Sequence, residues 1–465
     1  MTLFFLHPKG NRSTVKPTMW SKQGKSFFIP DIPGGIRGVH IVKKQVMRIT
    51  LVLALLLALL AGCMRGTPQT PAAQPTLVAT AIPTAAPTDG AAPLAAPRLR
   101  LWLPPQFDPA ANTPSGTLLQ ARLDEFVALH PGLTLEVRIK AATGSASLLG
   151  SLVASGSAAP GALPDLVALS RSDMESAVLK GLLHPFNGLT TIMDDPDWYD
   201  FAAGLARVQE AIYGLPFAGD ALILVDRPAA PGFQKLDWVS IQEKGRTVAF
   251  PAADPQAVLG LCLYLSMGGR VVDDQNQATL DMQKLIEVLK FFQQGREKGM
   301  FPYTIAQYKT DLQSWQAYRD HHSNMVITWA SQYLSDNPAD SIASPLPGLD
   351  GTNFTLGDGW VWSLAGSTSS QQALAVELAE YLVESEFLGA WTASAGYLPL
   401  RPKALETWQG NRRAVLNDVL LSARLIPSED IILALGPLLQ EAVSLVIREQ
   451  RTPEAAAQAA IEALE

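Results

Sequence analysis

The sequence predicts an α/β fold in which a mainly parallel sheet is covered by helices. Three observations predict it. Apolar and polar residues alternate in short runs, as in half-buried strands; residues at spacings of three and four mark helices between those runs; and the two kinds of segment follow one another as strand, helix, strand, helix, strand over residues 98–170. A chain of 465 residues, 48% hydrophobic and 17% charged, has the apolar surface for at least one sizeable core, and its length suggests two or three domain-sized units.

Arg98-Leu-Arg-Leu-Trp-Leu103 alternates and opens the folded part as a strand. Leu119, Leu123, Phe126 and Val127 predict a helix that stops at His130-Pro131-Gly132, because proline cannot continue it and glycine frees the backbone to turn. Leu133, Leu135, Val137 and Ile139 alternate as a second strand, a short helix runs from about Ser147 to Ala154, and Asp165-Leu-Val-Ala-Leu-Ser170 is a third strand. Further on come a strand at Thr247–Phe250, a helix over 256–267, and a helix carrying Leu285, Val288, Leu289 and Phe292, with Asp281 as N-cap and Gly299 just past its end. Met325–Trp329 is another short strand, and Leu374, Leu378, Tyr381 and Leu382 mark a helical face. The last helix starts with Thr452 as N-cap and Pro453 in its first turn, where a missing amide hydrogen costs nothing. There are no internal repeats.

The region before residue 98 reads as processing and tether. Lys43, Lys44 and Arg48 precede an apolar run, Ile49 to Leu60, that ends in Leu60-Ala-Gly-Cys63. The run is shorter than the roughly 20 residues of a spanning helix, and small residues before a cysteine suit cleavage by a signal peptidase. The pattern resembles a lipobox. It implies that Cys63 becomes the mature N-terminus and is acylated, palmitate included, with two or more chains enough for stable anchoring. Residues 1–46 read as an extension upstream of a start near Met47, 47–62 as the signal peptide and 63–97 as lipidated cysteine plus tether. Thr67–Pro97 is nearly all Ala, Pro and Thr, a composition that cannot offset its ordering entropy and that spans on the order of 90 Å at the polyproline rise. The folded part is therefore expected outside the cytoplasmic membrane, on the cell surface or in a periplasm.

Charge excludes one function class. Residues 1–62 hold nine Lys or Arg and one acidic residue, so of the 36 basic and 43 acidic residues the rest of the chain keeps 27 and 42, a formal net charge of −15. Such a body repels phosphate backbones, and no basic stripe with interleaved aromatics is present, so nucleic acid is not an expected partner. Two cysteines are too few for a disulfide framework, and Cys262, among Leu261, Leu263 and Leu265, reads as a small core residue. His321-His322 lacks a third ligand at metal-site spacing, and Asp194-Asp-Pro-Asp197 and Asp273-Asp274 lack the glycine and terminal glutamate of a calcium loop, so they read as turns and caps. No metal and no cofactor is expected.

Seven phrases in order carry a family resemblance: Phe126-Val-Ala-Leu-His-Pro-Gly-Leu-Thr-Leu-Glu-Val137, Leu163-Pro-Asp-Leu-Val167, Lys180-Gly-Leu-Leu-His-Pro-Phe186, Tyr213-Gly-Leu-Pro-Phe217 with Asp220, Gly268-Gly269 with Ala278-Thr-Leu-Asp281, Pro345-Leu-Pro-Gly348, and Gly396-Tyr-Leu-Pro-Leu-Arg401. From about Leu99 to the C-terminus the chain resembles the extracellular solute-binding proteins of maltodextrin and multi-sugar ABC importers. The resemblance implies a two-lobed, periplasmic-binding-protein-like (type II) fold with a hinge and an interlobe cleft. The chain would cross between lobes near 216–221, 357–364 and 395–400, giving lobe 1 as 98–218 with 365–395 and lobe 2 as 219–364 with 396–465. It also implies a monomer that hands a small polar solute, a sugar in the resembling proteins, to the transmembrane subunits of a permease. In one place the sequence departs from sugar-binding members: after Met325-Val-Ile-Thr328 they show a glycine and then aromatics, whereas here the run is Trp329-Ala-Ser-Gln-Tyr333.

Carbohydrate recognition needs flat apolar rings against C–H faces and carboxylates or amides for paired hydroxyls. The candidates are Trp102 at the end of the first strand, Asp220 at the first crossing, Trp329 and Tyr333 after the strand of the second lobe, and Trp360 and Trp362, which project from one strand face at the second crossing. For each tryptophan the competing role is core packing. Two other functions stay open. The sequence has no Gly-x-Ser-x-Gly elbow, His-Glu-x-x-His helix, phosphate loop or dinucleotide fingerprint, so no catalytic residue is assigned, yet a glycoside-acting enzyme needs only two carboxylates, which no motif reveals. A surface scaffold or adhesion module without a small ligand is the third reading.

Overall fold

The computed structural model describes residues 97–228, 236–366, 369–410 and 412–464; the signal segment, Cys63 and the tether lie outside them. Strand β1 (Arg98–Leu103) pairs in parallel with β2 (Thr134–Ile139) and β3 (Leu166–Ser170). The helices between them, Pro114–Leu129 and Leu148–Ala158, are capped by the hydroxyls of Thr113 and Ser147. Each hydroxyl accepts an amide hydrogen of the first turn, a satisfied donor that a helix start otherwise lacks. Past the first helix, Gly132 takes the left-handed backbone (φ 87°) that makes the predicted stop.

After a small hairpin, β4 (Arg207–Val208) with β5 (Ala211–Ile212), the chain enters the long β6 (Leu215–Asp226). Beyond it lie β7 (Val248–Ala249), β8 (Met325–Trp329), β9 (Ile342–Ser344), a second long strand β10 (Thr355–Leu364) and β11 (Ala423–Leu425). The main sheet runs β2-β1-β3-β10-β6-β8-β7, with β9 on β6 and β11 on β10. Its two flanks are parallel, β1 with β2 and β3, and β7 with β8, but its middle is antiparallel, β3 with β10, β10 with β6, and β6 with β8. The sheet is thus mixed. The sequence predicted the parallel flank, where helical crossovers separate the strands, and not β10, which returns from nearly two hundred residues away between β3 and β6.

Two apolar clusters fill the molecule. One gathers β1, β3 and their helices with Phe107, Phe217, Trp362 and Trp391. The other gathers Phe250, Cys262, Phe292, Phe301 and the long helix Glu429–Ile447. That last helix is long and apolar enough to cross a membrane, yet Leu435, Leu439, Val443 and Ile447 are buried in the core, so its hydrophobicity is accounted for by packing. Cys262 is buried as expected. Asp281 accepts the amide of Lys284 at 2.9 Å and Thr452 that of Ala455 at 3.3 Å, the two caps the sequence proposed. The acidic group at 194–197 does more than turn the chain. Asp195 and Asp197 form ion pairs with Arg401, which is 6% exposed.

Candidate ligand-binding site

The strands β6 and β10 position the site. Their register sets Gly219 opposite Gly359 and Asp220 opposite Asp358. Directly opposed residues of an antiparallel pair share a face, so the two carboxylates project from the same side of the sheet. The glycines allow the close approach on the other side. A Cβ on Gly359 would lie 2.5 Å from the Ala218 carbonyl oxygen, and one on Gly219 would lie 2.5 Å from Leu400. Gly219 also exchanges two backbone hydrogen bonds of 2.8 Å with Leu398, which brings the segment 396–400 alongside β6. The three segments the sequence marked as crossings therefore lie side by side.

Asp220 accepts the backbone amides of Ala221 (2.9 Å) and Ser331 (3.0 Å) on one oxygen and the Ser331 hydroxyl on the other. Ser331 stands in the first turn of the helix Ala330–Asp336, so the carboxylate caps that helix from outside. Burial pushes the Asp220 carboxyl up to about 7 against these hydrogen bonds, and the charge of Asp358 adds to the rise. Asp358 takes only the amide of its neighbour Gly359, at 2.7 Å, among its hydrogen bonds here. Burial pushes its carboxyl up to about 6, opposed by that amide and by Arg171.

Beside the carboxylates stands a group of aromatic rings. Phe107 meets Phe217, Trp360, Trp391 and Tyr397 edge to face at 5.2–5.5 Å between centroids, and Phe217 stacks on Trp362 at 4.2 Å. Trp360 and Tyr397 are partly exposed. Trp362 is buried and its indole nitrogen has no partner. Trp360 and Trp362 thus enter one cluster from one face of β10. The Tyr397 hydroxyl is pushed up to about 12, first by burial and then by the charge of Asp220.

Trp329 lies elsewhere on the same side of β8. It is partly exposed and lines a cavity of about 40 Å³ with Pro251, Asp254, Asp311 and Gln440. That is space for a few waters or one ligand group. Burial pushes Asp311 up to about 6, although the Thr328 hydroxyl (2.6 Å) and the Trp329 amide hydrogen-bond to it, and Asp254 adds to the rise. Tyr333 is separate again. It is buried and borders a crevice of about 760 Å³ with Arg412 and Asp418. Trp102 packs in the core, 1% exposed, with the Lys140 ammonium 4.2 Å from its ring centroid. The structure therefore brings Asp220, Trp360 and Trp362 together and leaves Trp329, Tyr333 and Trp102 in three other places. The sequence reading missed Phe107, Tyr397, Asp311 and Asp358. Of these, Asp358 lay between two glycines just before Trp360 and Tyr397 lay within the phrase Gly396–Arg401, but the register of Asp358 with Asp220 was not readable. Among the described residues no group of three or more His, Cys, Asp or Glu is placed to hold a metal ion.

Two apolar clusters, with the long central strands β6 and β10 contributing to both, give the two-lobed α/β architecture of periplasmic binding proteins. The chain belongs to the bacterial extracellular solute-binding protein family, whose profile matches residues 121–414. Similar solved structures include the cyclic α-maltosyl-1,6-maltose binding protein of Arthrobacter globiformis, 14% identical with a TM-score of 0.66 and covering 79% of this chain and 97% of that one. The maltose-binding periplasmic protein MalE of Listeria monocytogenes, solved with maltose, is 12% identical with a TM-score of 0.65, covering 80% and 97%. An ABC transporter solute-binding protein of Thermotoga lettingae, bound to α-D-tagatose, is 17% identical with a TM-score of 0.58, covering 79% and 98%. A sequence comparison with curated proteins finds no match.

Proposed function

We propose that this protein captures a carbohydrate in the cleft bordered by Asp220, Asp358 and Trp360, and delivers it to the transmembrane subunits of an ABC importer without turning it over. The observation that carries this reading is the placement of partly exposed rings beside carboxylates on the strands that join the two lobes. Rings cover C–H faces and carboxylates take paired hydroxyls, a combination that suits a polyol and repels phosphate. In this reading residues 98–218 with 365–395 form one lobe, 219–364 with 396–465 the other, and the protein works as a monomer. The maltose and α-D-tagatose bound in two of the similar structures, and the sugar for which the third is named, support the solute class, and the family supports the importer.

The test is a thermal-shift screen of the chain from residue 64 against a panel of mono- and oligosaccharides. A ligand at about a hundred times its dissociation constant adds roughly 2.7 kcal/mol. Trp360→Ala is expected to reduce that shift by removing the partly exposed ring beside the carboxylates. A panel with no stabilising sugar, or sustained release of reducing sugar from a glycoside, would sink this reading in favour of a scaffold or an enzyme.

We infer further that Cys63 carries the acyl chains that hold the protein on the outer face of the membrane, since Leu60-Ala-Gly-Cys63 follows a basic, apolar leader. Cys63→Ala is expected to release the protein into the medium or wash, because two or three chains are the anchor and the tether holds nothing. Retention of that variant in membranes after a high-salt wash would refute the anchor.

A further inference from the structure

We propose that the Asp220–Asp358 pair is a proton-operated control on the lobes, in which uptake of one proton by the pair tips the molecule toward its closed arrangement. The inference rests on the cleft reading above and adds regulation to it. Its geometry is a pair of carboxylates directly opposed across β6 and β10, the two strands that the cleft reading puts at the hinge. Two like charges so placed cannot both ionise without cost, and the cost grows as water is removed.

The surroundings offer neutral hydrogen bonds in place of a bound cation. Ser331, from the helix Ala330–Asp336, gives Asp220 a hydroxyl and an amide, and Ala221 on β6 gives a second amide. From the segment after Ala395, Tyr397 faces Asp220 and stays protonated, its hydroxyl pushed up to about 12. On β10 itself Gly359 gives Asp358 one amide. From the helix Arg171–Leu179, Arg171 acts on Asp358 through space, but its guanidinium is bound to Glu175 at 2.6 Å and to the carbonyls of Gly204, Leu205 and Arg207, and Glu175 works against it. No cation hydrogen-bonds to either carboxylate among the contacts of the described residues.

Both residues are still partly exposed, and closing the lobes over them would take away the water that reaches them. Because that penalty falls on the doubly charged form, the closed state binds a proton more tightly than the open one, and by linkage proton binding favours closure. The sign follows directly. Burial raises both carboxyls, so the protonated form gains as pH falls through the range from about 7 to about 6 that the two groups occupy. Ligand binding that requires closure then takes up as much as one proton. Affinity rises by up to tenfold for each pH unit lost above that range, and levels off below it.

The decisive measurement is small-angle scattering of the ligand-free chain from residue 64, extrapolated to zero concentration, at pH 8.5 and pH 5.5. The radius of gyration is expected to fall at the lower pH in wild type and to stay at its low value at both pH values in Asp358→Asn, where an amide stands in for the protonated acid. Asp220→Asn serves as the second variant should the first fail to fold. An unchanged wild-type radius, or a variant that titrates as wild type does, overturns the proposal. Maltose is added in a parallel arm. Tighter maltose binding at pH 5.5 supports the linkage, whereas no maltose binding at either pH while the radius still titrates counts against the carbohydrate reading and leaves the control standing.

Discussion

Arg401→Met is expected to lower stability by about 3–5 kcal/mol, the usual cost of breaking a buried ion pair from one side. Arg401 is 6% exposed and Asp197 equally buried at 6%. The guanidinium donates to Asp197 at 2.9 Å, to Asp195 at 2.6 Å and to the Val383 carbonyl at 3.2 Å, and sits 4.8 Å from the centroid of the Trp198 ring. Asp197 also accepts the Ser385 hydroxyl and the Lys403 amide, both at 2.9 Å. Three stretches of chain therefore meet on one charge pair. Without the guanidinium the carboxylate is left buried and uncompensated, which is the expensive half of the change. Urea unfolding curves of the single variant and of Arg401→Met with Asp197→Leu separate the parts, since the double variant leaves no orphan at Asp197 and should recover a large share of the loss. A single variant within about 1 kcal/mol of wild type would show that the pair is not the tie described here.

Gly359→Ala is the second large effect. The added Cβ would meet the Ala218 carbonyl oxygen at 2.5 Å and Leu205 at 2.8 Å. Ala218 is paired to Trp360 in the same ladder, so its carbonyl cannot retreat without parting β6 from β10. The expected cost is about 1–3 kcal/mol, the range for overfilling a packed interior, together with weaker ligand binding because the carboxylate strip is displaced. Gly357→Ala provides the comparison. Its Cβ would meet the Phe201 ring at 2.7 Å, a side chain that can shift, so its melting temperature should drop less. Thermal melts of the two variants decide the matter, and equal losses would place the strain elsewhere.

What the sequence made legible was local. The strand Arg98–Leu103 ends where the alternation ends, the short apolar run Met325–Trp329 is a strand over those same residues, and the starts at Asp281 and Thr452 follow from a cap three residues before the amide it binds. Pairing over distance was not legible. Nothing near residue 197 announces Arg401, 204 positions away, and the acidic run around it looks the same as a solvated turn. The same holds for the site. Tryptophans could be named from their places after strands, but whether a ring is walled in, as Trp102 and Trp362 are, or left partly open, as Trp329 and Trp360 are, depends on which neighbours the topology delivers. Asp220 was found through its phrase. Its partner Asp358 required the register of β10, which a sequence does not contain.

The alignment of Gly359, Gly219 and Leu398 in adjacent rows has a mechanical consequence. Three cords laid edge to edge and cross-linked by hydrogen bonds behave as a strap, stiff against shear and against separation, and compliant mainly to rotation about its short axis. Motion of one half against the other is then close to a single angle, where a lone connecting segment would permit a wide cone. In the importer role proposed above, the transmembrane subunits would have only that angle to read in order to know whether the cleft is filled.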